Sequence, residues 1–124
     1  MKLFYPSIML TVATVVFIGC KGDANKTTIN YDYDVKPIFE MNCLECHGEN
    51  GMANLNLSTY DDLMKGDSDN GPVVIPYDAE NSLLYQKVSR EDPPIGSRMP
   101  YGRNPLPSSQ IRIIEEWILQ GAKK

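Results

Sequence analysis

The chain has 124 residues, room for one small domain and not for two. Its formal net charge is −4 and no run of Lys or Arg breaks the pattern. That argues against nucleic acid as a partner, because affinity there comes from neutralising phosphates. Three cysteines and a single histidine remain to be explained.

Lys2 gives a short positive start, and an apolar run follows from Ile8 to Ile18, broken only by Thr11 and Thr14. This is the layout of an export leader. A bilayer-spanning helix needs about 20 apolar residues, and Pro6, Ser7 and the polar stretch after Cys20 leave this one short. Phe17-Ile18-Gly19-Cys20 resembles a bacterial lipobox. The resemblance implies a lipoprotein signal peptide over residues 1–19 and a lipidated Cys20 as the mature N-terminus. The protein would then be exported and lipid-anchored to the bacterial membrane, facing the periplasm or the cell exterior. Residues 20–30 read as lipidated terminus and flexible tether, since KGDANKTTIN is polar and without apolar period. The folded domain is expected over residues 31–124.

Within it, Val35, Ile38, Phe39 and Met41 recur at near-helical spacing, and Pro37 suits a first turn. A short helix is predicted from Thr59 to Lys65, capped by Ser58 or Thr59, with Asp61 and Asp62 in its first turn and Gly66 as its stop. Residues 67–76 read as loop. A further helix is predicted from Ser82 to Val88, with Leu83, Leu84 and Val88 apolar and Asn81 or Ser82 as cap. Residues 91–107 hold Pro93, Pro94, Gly96, Pro100, Gly102, Pro105 and Pro107 and cannot be helix or central strand. The last helix begins at Ser108 or Ser109. Ile111, Ile114 and Ile118 form its stripe, Trp117 widens it, and Gly121 ends it ahead of Lys123 and Lys124. No strand alternation is visible. The predicted class is all-α, small, with 3–5 helices and long loops.

Cys43-Leu44-Glu45-Cys46-His47 is C-x-x-C-H, the attachment signature of c-type haem. Two residues between the thiols let both sulfurs reach one porphyrin edge, and the next residue then lies under the iron as axial ligand. The sole histidine stands at that position. A redox disulfide would want a βαβ context, which is missing. Structural zinc would want four ligands, and only Cys43, Cys46 and His47 cluster.

Asp34 to Phe39 through Cys46-His47-Gly48 resembles the N-terminal helix and haem-binding turn of small monohaem bacterial cytochromes c. Leu55 to Tyr60, Asn81 to Tyr85, Arg98-Met99-Pro100, Glu116-Trp117-Ile118 and Gly121-Ala122 resemble the same family in the same order. The chain departs at Pro107, where the family often has a capping Ser or Thr, a role then expected of Ser108. The resemblance implies a small cytochrome c-like fold around one covalently bound haem c, attached through Cys43 and Cys46.

The second axial ligand decides the chemistry. With one histidine, bis-His ligation within the chain is excluded, and a thioether is the natural candidate. Of six methionines, Met1 and Met9 leave with the leader, Met41 stays on the attachment side, and Met52 follows His47 too closely. Met64 sits on a predicted helix as core packing. Met99 has ample chain before it and prolines around it that would hold its sulfur, so it is the expected ligand. Trp117 and Ile114 are expected near the haem and the first helix, Trp117 mainly as core. Arg98, Tyr60 and Tyr101 are candidate partners of the haem propionates.

With His47 and Met99 as metal ligands, the expected function is single-electron transfer between membrane-associated redox proteins. Those proteins, and the membrane through Cys20, are the expected partners; no small-molecule substrate and no catalytic residue are expected. Two alternatives stay open: an open-site haem that senses a gas or reduces peroxide, and an accessory subunit of a larger oxidoreductase. The haem-free domain is expected to be poorly folded, since a large flat apolar body would be missing from its interior.

Overall fold

The computed structural model describes residues 27–124. The leader, Cys20 and the first part of the tether lie outside the described residues. The described chain is all-α: α1 Lys36–Asn42, α2 Leu44–His47, α3 Tyr60–Lys65, α4 Leu83–Ser89 and α5 Ser108–Leu119, with no strand among the described residues. None of these helices is long and apolar enough to cross a membrane.

A single π-helical turn, Tyr31–Val35, precedes α1. Asn30 caps it, its side chain accepting from the Tyr33 N–H, and Asp34 accepts from the Asn30 N–H at 2.7 Å. The wider turn brings both Tyr31 and Val35 inward, and α1 adds Ile38 and Phe39 to the same buried side. Met41 does not join them. It is 73% exposed, because the period that buries Val35, Ile38 and Phe39 turns position 41 outward.

The predicted cap of α3 is present: the Asp62 N–H donates to the Thr59 hydroxyl oxygen at 3.1 Å, and Gly66 follows the helix. The Thr59 hydroxyl and the Lys65 ammonium both hold the Asp62 carboxyl below the usual carboxylate range. At α4, Ser82 occupies the cap position but does not cap. Its fully buried hydroxyl donates to the Asp78 carbonyl at 2.7 Å and accepts from the Ile75 N–H at 2.8 Å, bracing the preceding loop instead.

Helix α5 begins at Ser108 with Pro107 as N-cap and no side-chain capping bond, so Ser108 does not take the expected capping role. A proline offers no capping oxygen but sets a suitable φ. The C-terminus is closed more tightly. Gly121 N–H donates to Ile118 and Ala122 N–H to Trp117, both at 2.9 Å, which is the Schellman pattern. Gly121 sits at φ 99°, and a Cβ there would stand 2.5 Å from the Tyr77 ring.

Helix α5 packs against α4 and against the π turn. Tyr31 is the centre of an aromatic group, 5.2 Å from Tyr60 edge-on, 5.6 Å from Trp117 and 6.4 Å from Phe39 between ring centroids. The Trp117 Nε1–H donates to the Lys123 carbonyl at 2.7 Å, and the Tyr60 hydroxyl donates to the Ala122 carbonyl at 2.9 Å. The Tyr60 hydroxyl is therefore engaged within the chain. Trp117 and Ile114 are wholly buried in this core, the role expected of Trp117, and line no part of the cleft described below. The stretch before Tyr31 is held as well: the Gln120 side chain accepts from Ile29 N–H at 2.9 Å and donates to the Thr27 carbonyl at 3.2 Å.

Candidate haem-binding cleft

The C-x-x-C-H segment is wound onto the end of α1. Cys43 N–H donates to Phe39, and both Cys46 and His47 N–H groups donate back to the Cys43 carbonyl, at 3.1 and 2.8 Å. This makes α2 a single turn that starts on the first cysteine and ends on the histidine. The His47 carbonyl then accepts from Leu57 N–H at 2.8 Å, fixing the segment that follows. Gly51 allows the chain to fold back here: a Cβ on it would stand 2.7 Å from the His47 Cα and 2.8 Å from the Leu55 carbonyl oxygen.

The His47 ring has a partner that sequence reading did not supply. Its Nδ1 lies 3.2 Å from the Met52 carbonyl oxygen. With the proton on Nδ1, the ring donates to that carbonyl and leaves the Nε2 lone pair free for a metal. The same carbonyl accepts from Leu55 N–H, so a tight turn at Met52–Asn54 orients the imidazole. Met52 follows His47 too closely to be a ligand, and that proximity is what brings its carbonyl to the ring. Nothing in the side-chain sequence marks a backbone acceptor.

Cys43, His47 and Met99 line one cleft. Its other walls are apolar: Leu55 and Leu57 after the turn, Val73 from the loop, and Leu83, Leu84 and Val88 from α4. A continuation towards the surface is lined by Cys46, Met52, Met99, Pro100 and Tyr101. Met64 is packed against the core and does not line either part. Tyr101 is 73% exposed at the mouth. Arg98 does not line the cleft; its Nε is buried without a hydrogen-bond partner, one residue from Met99. Lys87 of α4 lines the cleft too, and burial pushes its ammonium below the usual lysine range.

Cys43 and Cys46 form no disulfide with each other. Burial pushes the Cys43 thiol up to about 11; the Arg103 guanidinium opposes this and Cys46 adds to it. A redox-active C-x-x-C pair needs the reverse, a thiolate stabilised near neutral pH. The residues fit a flat apolar ligand better. Two thiols and an imidazole stand at the edge of an apolar cleft, a thioether faces the same space, and the walls offer little polar surface.

The family model of planctomycete cytochrome C matches residues 43–100, from the first cysteine of the motif to the residue after Met99. The match supports a cytochrome c-like domain over these residues, and the all-α architecture is consistent with it. No curated protein and no solved structure gives a significant match.

Proposed function

We propose that this chain is a monohaem c-type cytochrome that passes single electrons between membrane-associated redox partners. Cys43 and Cys46 would hold the haem as thioethers, and His47 and Met99 would be its axial ligands. What supports the reading is that residues far apart in sequence, Cys43, His47 and Met99, line a single apolar cleft within the span of the family match.

Bound haem supplies one-electron oxidation and reduction; the chain supplies everything else. Met52 keeps the imidazole in the tautomer that ligates through Nε2. The apolar walls exclude water, and a thioether ligand favours the reduced state and raises the potential. Arg98, with its buried unpartnered Nε, would donate to a propionate beside Met99. Lipidation at Cys20 would keep the domain at the membrane surface and raise its effective concentration for partners there.

The test is the absorption spectrum of the full chain, matured in a host that attaches c-type haem. The expected result is a haem that survives denaturing extraction, is low-spin in both oxidation states, and does not bind carbon monoxide when reduced. A colourless protein with both thiols free overturns the reading. Rapid, tight carbon monoxide binding overturns Met99 ligation and favours an open-site haem.

A further inference from the structure

Met99 enters the cleft from a segment without regular structure, so its position depends on what holds that segment. Two attachments flank it. On one side, Met99 N–H donates to the Lys87 carbonyl of α4 at 2.8 Å, and the Lys87 ammonium donates to the Ile95 carbonyl at 2.7 Å. On the other side, Arg103 N–H closes a turn on the Pro100 carbonyl at 3.4 Å, and the Arg103 guanidinium pairs with the Glu45 carboxylate. Glu45 stands between the two cysteines of C-x-x-C-H. Between the attachments, Met99, Pro100 and Tyr101 line the cleft mouth together with Cys46 and His47.

We propose that the Glu45–Arg103 pair is an ionic clasp across the cleft mouth. It sets how readily residues 99–103 lift from the haem-attachment turn, and so how often the Met99 side of the haem opens to a small external Lewis base. This rests on the haem reading above. Glu45 and Arg103 are positioning residues, acting through Met99. Their side chains are 72% and 49% exposed, so the pair is weak and screened by salt. Beside Met99 itself, the attachment to α4 is a backbone hydrogen bond that salt does not screen. The segment therefore opens first from its Arg103 end.

The experiment uses the haem-loaded full chain and follows imidazole binding to the oxidised protein at several ionic strengths. In the wild type, binding is slow and accelerates as salt rises. Arg103→Gln and Glu45→Gln each accelerate it about two- to fivefold at low salt and flatten the salt dependence. Arg103→Gln lies outside the attachment motif and keeps the test independent of haem maturation. Exchanging the charges, Glu45→Arg with Arg103→Glu, restores slow binding. A merely structural role shifts the thermal midpoint and leaves the binding rate unchanged. Equal rates and equal salt dependence in wild type and variants, with haem attached and thioether-ligated, overturn the clasp. A wild type that carries no covalent haem, or binds imidazole at an open site, overturns the haem reading, and the clasp with it.

Discussion

The aromatic core around Tyr31 and the cleft around Met99 share one small domain but are closed by different means. In the core, the π turn, α1 and α5 meet directly, and the indole and the Tyr60 phenol each donate to the chain's own C-terminal carbonyls. In the cleft, the walls come from α4, the attachment turn and the loops that carry Leu55, Val73 and Met99, and they converge on an open apolar space. In the first region side chains pack directly on one another. In the second they line an open apolar space, which on the function proposed above would be completed by a cofactor.

The largest test of that contrast is removal of the cofactor. A Cys43→Ala/Cys46→Ala double variant should lose covalent haem entirely and lose most of its far-ultraviolet helical signal at ambient temperature. Near-native circular dichroism would mean that the cleft holds itself together and would erase the distinction. Next in size is Trp117→Ala, which removes the largest side chain of the core. It should cost about 3–5 kcal/mol of unfolding free energy, read from denaturant titration of the haem-loaded protein. The milder Ile114→Val should cost about 0.5–1.5 kcal/mol and still fold. Neither should move the haem absorption bands, since neither residue lines the cleft. A shifted spectrum in Ile114→Val would show that the two regions are coupled.

Gly121→Ala should destabilise by about 1–3 kcal/mol, because φ 99° and the Tyr77 ring both oppose a Cβ. An unchanged thermal midpoint would show that the C-terminal lock contributes little. The smallest effect belongs to Tyr31. Burial, with Asp32, Glu40 and Asp62 nearby, pushes its phenol from 10.0 up to about 12. The native state holds the proton more tightly than the unfolded chain. Its contribution is therefore complete below pH 10 and is lost as pH rises through about 12. Tyr31→Phe should remove that alkaline loss. It should be close to neutral at pH 7, because the buried hydroxyl has no partner to forfeit. A stability curve that falls identically in Tyr31→Phe would assign the alkaline loss to another group.

Much of the fold was legible because its signals are local. Thr59 three residues before Asp62, Gly66 after α3, and Gly121 behind the Ile114, Trp117 and Ile118 stripe act within one or two turns of chain. The cysteine pair and histidine are equally local: one turn of helix brings them together. Met41 misled because near-helical spacing on paper hides that the period burying Val35, Ile38 and Phe39 turns position 41 outward. Ser82 misled because a hydroxyl at a helix start can serve the preceding loop as well as the helix. The hydrogen bonds of Tyr60 and Trp117 to the last carbonyls are not legible locally, because they depend on where the C-terminus returns.

By itself, the sequence determined that two thiols and an imidazole share one helical turn and which segments wind into helices, because covalent reach and helical capping act over a few residues. The tertiary structure alone decided that the Met52 carbonyl faces the imidazole, that Lys87 holds Met99 by its backbone, and that Glu45 meets Arg103. Those contacts join groups through the closing of loops, and nothing in the order of residues records which loop ends meet.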